Sequence, residues 1–512
     1  MTTFSRRDFL KVAGVTLAGA LTSEQALSLK AVNDRRPNVI VILMDALSAR
    51  HLSLYGYPRL TTPNLDAFAE RSTVFHNHYS GGNFTTTGVA SMLTGMIAWK
   101  HRAINQGGLV RSGLVQHNPY TLLGSDYYRF AFCQNIWADR LIGQYSGDVD
   151  RFLSPASYSL SKDGLSMETF NKDRALASVA TDDFLFPAQA NIPGSLLAGY
   201  INKSQTLGVS EKQKNAYSRY PSGIPEALID GYIAPYLNET IYAGVYSELS
   251  QLDSMTSPYF AYFHLFSPHF PYKPRRDYLK LFRDKYYPTP KPAHALSFHF
   301  SEDYLSSKRT VYDRQIAQLD DEFGALISRL NQDGILENSY LIFTADHGEL
   351  FERGFAGHGF QFMYEAVLQI PLIIHAPRQT KREDVFSLTS NIDVLPTILS
   401  IAGKNLPSDL DGKVLPGLGG QADENRPIFS MIAEDNSAFA PIKKAIIAMR
   451  KRAYKLIAYL NYAVAEPFEL YNLESDPEEL NNLAEKDAPM LSAMKDELFT
   501  HLNAANKMFA KT

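Results

Sequence analysis

Cysteine is nearly absent from this chain of 512 residues, which contains only Cys133. One cysteine cannot form an intrachain disulfide, and it cannot build a metal site from several thiolates. An excess of one charge sign is also missing, since the formal net charge is -4 and no basic run extends beyond a few residues. These deficits exclude a disulfide scaffold and do not support a nucleic-acid-binding surface.

Long apolar runs are scarce as well, so no stable membrane span is expected. Apolar residues make up 45% of the chain and charged residues 20%, which is the composition of a soluble globular protein. The length allows one large domain and a smaller one.

The N-terminus carries an export pattern. Residues 5–11 read SRRDFLK, with Arg6 and Arg7 as the pair, and an apolar stretch of small residues follows from 12 to 21. That stretch is too short to span a membrane comfortably. We therefore expect residues 1–36 to be a twin-arginine signal peptide and linker, the twin-arginine translocase to be a partner, and the mature protein to be periplasmic or extracellular.

Candidate metal ligands follow two strand-like segments. RPNVIVILMD ends at Asp45, and YLIFTADHGE places Asp346 and His347 after a run of apolar and β-forming residues. Because the carboxyl ends of parallel strands meet at one edge of an α/β sheet, we expect these side chains to lie close together. Two carboxylates and an imidazole can hold one divalent cation.

A third segment contributes a hydroxyl group. FTTTGVASMLTG is a hydroxyl-rich turn that opens into a predicted helix, whose first backbone N–H groups would face an anion. Thr85 is the candidate nucleophile and fourth metal ligand, because a metal-bound hydroxyl loses its proton easily. Thr86 and Thr87 are equally compatible with the local spacing. This ligand set suits Zn²⁺ or Mn²⁺ better than Ca²⁺, which prefers more oxygen ligands.

Two further histidines are candidate catalytic residues. His269 lies in SPHFPYKP and His358 in GFAGHGF, where each could contact the oxygens or the leaving group of a phosphate or sulfate ester. His264, inside the preceding strand, is interpreted as structural. The weaker candidates for contact with an anion are Lys100, His101 and Lys273.

Six stretches resemble the sulfatase family of the alkaline phosphatase superfamily and follow that family's order. They are RPNVIVILMDALSARHLSLYGYPRLTTPNLDAFA, TTTGVASMLTG, FHLFSPHFPY, YDRQIAQLDDEFGALISRLNQDGILENSYLIFTADHGE, IDVLPTILSIAG and FELYNLESDPEELNNLA. The resemblance implies an α/β, alkaline-phosphatase-like sandwich with a central, mostly parallel sheet flanked by helices, and a small C-terminal antiparallel sheet with a helix. The domains expected are a catalytic domain over 37–420, with an insertion at about 145–240, and a C-terminal subdomain over 421–512.

The chain departs from this family at the nucleophile. Sulfatases place a cysteine or serine, converted to formylglycine, first in a Cys/Ser-x-Pro-x-Arg motif, and the corresponding position here is Thr85. The proline position is Thr87, the arginine position is Val89, and Ala46 stands where the family has a second N-terminal aspartate. Threonine cannot become formylglycine, because oxidation at its branched carbon gives a ketone.

One N-terminal acid, a threonine and an Asp-His pair resemble the lipoteichoic acid synthases and phosphoethanolamine transferases, which use a threonine nucleophile. By the same comparison, His269 matches the family's anion-contacting histidine, and His358 matches a position that is often His or Lys. The resemblance implies metal-dependent hydrolysis or transfer of a phosphate ester, a diester or phosphonate-like group, on a small-molecule or lipid- or glycan-linked substrate. The alternatives are a sulfatase that lacks formylglycine and a degenerate binding protein.

Substitution of the N-terminal arginine pair tests the export assignment. Arg6→Lys with Arg7→Lys should block translocation, because the translocase reads the arginine pair itself and not its charge. Cell fractionation measures the periplasmic amount, and Arg35→Lys with Arg36→Lys is the matched control. A normal periplasmic level of the first variant would show that the signal has been misread.

Overall fold

The computed structural model describes residues 36–160, 211–229, 232–284 and 286–509. The predicted signal peptide, up to residue 35, and residues 161–210 of the predicted insertion lie outside the described residues. The strands that the structure describes are β1 Asn38–Met44, β2 Thr73–Phe75, β3 His78–Tyr79, β4 Tyr128–Cys133, β5 Arg151–Leu153, β6 Glu226–Ile229, β7 Tyr232–Pro235, β8 Tyr259–Leu265, β9 Ser339–Ala345, β10 Leu350–Glu352, β11 Phe355–Gly357, β12 Leu372–His375, β13 Glu383–Val385, β14 Thr389–Ser390, β15 Ile428–Ile432, β16 Ala445–Lys451, β17 Tyr454–Leu460 and β18 Phe468–Asn472.

The α-helices of the same described ranges lie mostly between these strands. They are α1 Pro63–Ala69, α2 Thr85–Thr94, α3 Ala98–His101, α4 Pro119–Leu123, α5 Ile136–Gly143, α6 Glu211–Arg219, α7 Asn238–Asp253, α8 Glu302–Gln332, α9 Glu365–Leu368, α10 Val394–Ile401 and α11 Ala488–Lys507.

A mostly parallel sheet forms the centre of the fold, with the strand order β13-β2-β12-β9-β1-β8-β4-β5. The run β9-β1-β8-β4-β5 is parallel throughout, whereas β12 is antiparallel to both of its neighbours. The sheet predicted from the sequence is therefore confirmed. Its edge strand β5 lies beyond residue 145, so the central sheet extends into the segment that the sequence suggested was an insertion.

Both faces of the sheet are covered by helices because the central strands are apolar on both faces. In β1, Ile40 and Ile42 pack with α1, α7 and α8, while Val39 and Val41 pack on the opposite side with α2, α4, α5 and α10. A strand buried on both faces reads as a continuous apolar run, which is the pattern of residues 38–44. The layered α/β sandwich follows from this pattern.

The C-terminal sheet has the order β15-β16-β17-β18 and is antiparallel, as predicted. One face packs on α11 through residues such as Ile447 and Leu456, and the other packs against Tyr79, Phe84 and Val367 of the preceding part of the chain. Because Phe84 directly precedes α2, this packing fixes the point where that helix begins.

Segments near the predicted insertion are helical only in part. The described portion contains α6 and the antiparallel pair β6-β7. Across the described ranges, no helix is both long enough and apolar enough to be a membrane span.

Candidate metal centre and nucleophile

The register of the central sheet brings the two strand ends together. Met44 of β1 pairs with Ala345 of β9, so the next residues along each strand, Asp45 and Asp346, lie side by side. Asp45, Asp346 and His347 are buried, and one potential ligand atom from each lies within 4.8 Å of the others. The structure therefore places these three predicted ligands in one cluster at the carboxyl edge of the sheet.

Asp45 uses only one of its carboxylate oxygens in hydrogen bonds. Its Oδ2 accepts from Asn135 Nδ2 at 2.6 Å and contacts His264 Nε2 at 3.1 Å, whereas its buried Oδ1 has no hydrogen-bond partner among the described residues. Burial alone would raise the pKa of Asp45, but the neighbouring imidazoles, His269 foremost, hold it below its ordinary value. The carboxylate is therefore ionised, with one oxygen left for a further partner.

Asp346 shows the same division between its two oxygens. Its Oδ1 accepts the backbone N–H groups of Ala46 at 3.1 Å and His347 at 2.9 Å, while Oδ2 is buried and has no hydrogen-bond partner in the described part of the chain. Ala46 cannot ligate a metal, but its backbone fixes the carboxylate of Asp346, a candidate ligand.

His347 presents its second ring nitrogen to these free oxygens. Its Nδ1 donates to Gly348 O at 2.9 Å, so Nε2 carries the lone pair in the neutral imidazole, the form that binds a metal ion. Nε2 lies 3.6 Å from Asp45 Oδ1 and 3.6 Å from Asp346 Oδ2. Burial would lower the pKa of His347, but the carboxylates of Asp346 and Asp45 raise it. The lone pair and the two unpaired oxygens all converge on one point.

A divalent cation fits this donor set. A cation about 2.1 Å from tetrahedral ligands separates them by roughly 3.4 Å, close to the distances observed between these atoms. Both oxygens are buried 3.6 Å from His347 Nε2 without a hydrogen bond in the described part of the chain, so a cation bound there would offset the cost of their desolvation. The residues present thus suit a metal ion, and the preference for Zn²⁺ or Mn²⁺ over Ca²⁺ stays a prediction.

Thr85 is the member of the threonine run that reaches the cluster. Its Oγ1 lies 3.4 Å from His347 Nε2 and accepts from Asn135 Nδ2 at 3.1 Å. Thr86 Oγ1 instead accepts from Gly107 N, and Thr87 Oγ1 donates to Ala103 O. The structure therefore distinguishes Thr85 from Thr86 and Thr87, which the sequence left as alternatives.

Close packing of α2 against the Asp346 turn sets the position of Thr85. A β-carbon at Gly88 would lie 2.3 Å from Asp346 O, so only glycine permits this approach. Val89, at the position where the family motif has arginine, is fully buried in the apolar core. The helix supplies a hydroxyl group to the centre but no cationic side chain at that position.

His269 and His358 lie beside the centre. Their ring centroids are 4.6 Å apart, and His358 is 4.3 Å from His347. Burial lowers the pKa of His269, and burial next to His347 lowers the pKa of His358 to about 3. His358 Nδ1 contacts Glu349 Oε1 at 2.9 Å, and burial raises the pKa of Glu349 to about 7. His358 therefore adjoins the cluster through His347, and His269 adjoins His358.

The weaker candidates from the sequence make other contacts. Lys273 Nζ pairs with Glu226 at 2.9 Å, Lys100 Nζ with Asp411 at 3.4 Å, and the buried His101 Nε2 lies 3.0 Å from Ser91 Oγ. We therefore assign none of them to the centre.

Sequence reasoning missed three residues of the site. Asn135 and His264 both contact Asp45, and Glu349 contacts His358. His264, for which the sequence suggested a structural role, is the second-last residue of β8, and its Nε2 lies 3.1 Å from Asp45 Oδ2. A usable signal existed for Asn135, since it follows the apolar strand β4 by two positions, and Asp45 likewise follows β1, by one.

Family models match most of the chain. A model described as Sulfatase matches residues 37–404, and one described as N-sulphoglucosamine sulphohydrolase, C-terminal, matches residues 354–507. The chain belongs to the sulfatase family. Members of this family use a divalent metal ion, which agrees with the donor set at Asp45, Asp346 and His347.

Individual relatives cover nearly the whole chain. The choline-sulfatase of Rhizobium meliloti (strain 1021) is 24% identical over 496 residues, which are 91% of this chain and 87% of the relative. The arylsulfatase K of Xenopus laevis is 27% identical over 497 residues, 90% of this chain and 81% of the relative. These findings make the protein a hydrolase of the sulfatase family.

A solved structure confirms the alkaline-phosphatase-like fold. The phosphonate monoester hydrolase of Agrobacterium radiobacter superposes with a TM-score of 0.64 at 20% identity, covering 92% of this chain and 96% of that chain. At this identity the similarity establishes the fold and not the substrate.

Removal of one carboxylate tests the metal centre. Elemental analysis of the purified protein should find about one tightly bound divalent ion per chain. Asp346→Asn should lower that occupancy sharply, because a neutral amide replaces an ionised ligand of the same shape. The control is Asp384→Asn, whose carboxylate pairs with His76 and Arg382 away from the centre. Full occupancy in Asp346→Asn would contradict the assignment.

Proposed function

We propose that this protein hydrolyses sulfate esters of small molecules or glycans, with Thr85 as the nucleophile in place of formylglycine. The family match and the similarity to sulfatases over almost the whole chain support a sulfate ester as the substrate. The observation that carries the mechanism is the position of Thr85 Oγ1, 3.4 Å from His347 Nε2 and next to the two unpaired carboxylate oxygens.

Asp45, Asp346, His347 and Thr85 would hold the metal ion. When bound, the ion would polarise an ester oxygen and lower the pKa of the Thr85 hydroxyl. The protein's own part is to keep these groups fixed and buried, so that little reorganisation is needed during the reaction.

The reaction proceeds in two displacements at sulfur. Thr85 Oγ1 loses its proton and forms a bond to sulfur while the bond from sulfur to the alcohol oxygen breaks, and the departing alcohol takes up a proton. Water then attacks sulfur and gives up a proton, the bond from sulfur to Thr85 Oγ1 breaks, and sulfate leaves while Thr85 Oγ1 takes up a proton. Backbone N–H groups at the start of α2 have no acceptor within the helix and point toward the ester oxygens.

His269 and His358 contact the ester oxygens or the leaving group in this proposal. His269 Nδ1 contacts Phe270 O at 2.5 Å, and His358 Nδ1 faces Glu349, so the Nε2 atoms remain for the substrate. An anionic ester bound nearby would raise the pKa values of both imidazoles again, since opposite charge favours the protonated form.

A phosphate ester, either a diester or a phosphonate-like group, is the second candidate substrate. The specific observation in its favour is that residue 85 is threonine, as in the phosphotransferases that the sequence resembles. Threonine lacks the second hydroxyl of a formylglycine hydrate, so the covalent intermediate must be cleaved by attack at sulfur or phosphorus. The acceptor in this alternative is water or another alcohol, on a small-molecule or lipid- or glycan-linked substrate.

Substitutions in the threonine run test the nucleophile. Thr85→Ala should abolish turnover in a protein that remains folded, because the lost group forms the covalent bond. Thr85→Ser should retain part of the activity, since a primary hydroxyl can occupy the same place. Thr86→Ala is the matched control and should be milder. Aryl sulfates, phosphate monoesters and diesters, and phosphonates are assayed separately with added Mn²⁺ or Zn²⁺.

Quenched reactions identify the transferred group. Intact-mass analysis should show an adduct on the peptide that contains Thr85, and because sulfo and phospho groups have almost the same mass, each substrate is supplied alone. Wild-type turnover by Thr85→Ala would refute the mechanism. Turnover of phosphate esters without turnover of sulfate esters would instead support the second candidate substrate, a phosphate ester.

A further inference from the structure

Both polar atoms of the Asn135 side chain have hydrogen-bond partners. The side chain is 3% exposed and begins α5 directly after β4. Its Oδ1 accepts from Trp137 N at 2.8 Å, and its Nδ2 donates to Asp45 Oδ2 at 2.6 Å and to Thr85 Oγ1 at 3.1 Å. The reversed amide would set an oxygen against a carboxylate and an N–H against an N–H, so its orientation is determined.

The first of the two N–H groups fixes Asp45. Asn135 and His264 together occupy Oδ2 of that carboxylate, which leaves Oδ1 to face His347 Nε2. Outer contacts of this kind hold a ligand in the geometry that a cation requires. A carboxylate without them could rotate and offer either oxygen.

The second N–H group acts on the reacting atom itself. Thr85 Oγ1 accepts this hydrogen bond before any reaction, and the bond becomes charge-assisted when the oxygen gains negative charge. The position on α2 where the family has arginine is the buried Val89. No cationic side chain at that position of α2 can therefore stabilise charge on Oγ1, and the amide of Asn135 donates to this oxygen from outside the helix.

We propose that Asn135 is a catalytic residue, which stabilises the negative charge on Thr85 Oγ1 and fixes Asp45 as a metal ligand through the same amide group. This inference rests on the proposed role of Thr85 as the nucleophile. It adds a group from β4 and α5 to a site that the sequence assigned to the ends of β1 and β9 and the start of α2.

The first test is Asn135→Ser, with Asn118→Ser as the matched control. A serine hydroxyl can still cap α5, but it supplies neither N–H contact. Asn118 is also buried and begins a helix, where it accepts from Thr121 N at 3.0 Å, away from the centre. In Asn135→Ser, kcat should fall about 100-fold with little change in KM, because the charge develops only during the reaction. Affinity for Mn²⁺ or Zn²⁺, titrated without substrate, should fall about 10-fold.

A second variant distinguishes a loss of catalytic rate from a loss of bound metal. Asn135→Asp keeps the size of the side chain and the cap of α5, but it removes both N–H groups. The kcat is measured at saturating metal, so a low value at full metal occupancy would come from the missing donor to Thr85, whatever the cation affinity of this variant. An unchanged kcat at saturating metal in both variants would overturn the inference.

The remaining outcomes distinguish this inference from the proposed function. Cation affinity is measured without substrate, so a wild-type affinity in Asn135→Ser overturns the positioning of Asp45 whether the substrate is a sulfate or a phosphate ester. An equal loss of kcat and of cation affinity in Asn118→Ser would mean that helix capping explains the effect. That outcome would also overturn the inference. Wild-type turnover by Thr85→Ala, in contrast, overturns the nucleophile and not the metal-affinity result.

Discussion

Two ionisable oxygens, Asp45 Oδ1 and Asp346 Oδ2, are buried without a hydrogen-bond partner among the described residues, and the arrangement of the site follows from them. Both oxygens lie 3.6 Å from His347 Nε2, too far for a hydrogen bond, so a cation that pairs with both would offset the cost of burying their charge. The second oxygen of each carboxylate is held by donors that cannot move away, namely backbone N–H groups for Asp346 and two side chains for Asp45. This division leaves one oxygen of each carboxylate available to a metal ion.

Packing of the surrounding elements sets the position of the Thr85 hydroxyl group beside these oxygens. Phe84 packs against the C-terminal sheet, and Gly88 lets α2 approach the Asp346 turn. Asn391 adds a second connection, since it donates to Gly88 O at 2.8 Å and accepts from Gly81 N at 3.0 Å. The position of Thr85 therefore depends on contacts from the central sheet, the C-terminal sheet and the segment before α10.

The cluster of Asp45, Asp346 and His347 could be predicted from the sequence because strand periodicity and strand order are local signals. Asp45 and Asp346 each follow an apolar run, and parallel strands bring such positions together. Thr85 could not be separated from Thr86 and Thr87, because the choice depends on how α2 is rotated against the sheet. Asn135 looks in the sequence like an ordinary helix cap, and its second role depends on its distance from Asp45. The three residues of β5 are too short a run to be recognised without their neighbour β4.

Anomalous diffraction from crystals grown with Mn²⁺ or Zn²⁺ would test the central claim most directly, because it locates the cation independently of any substrate. The account predicts one strong peak about 2.0–2.2 Å from Asp45 Oδ1, Asp346 Oδ2, His347 Nε2 and Thr85 Oγ1. A peak that lacks Thr85 among its ligands would contradict the proposed activation of the hydroxyl. The absence of a peak at this cluster, with the metal bound elsewhere, would contradict the centre itself.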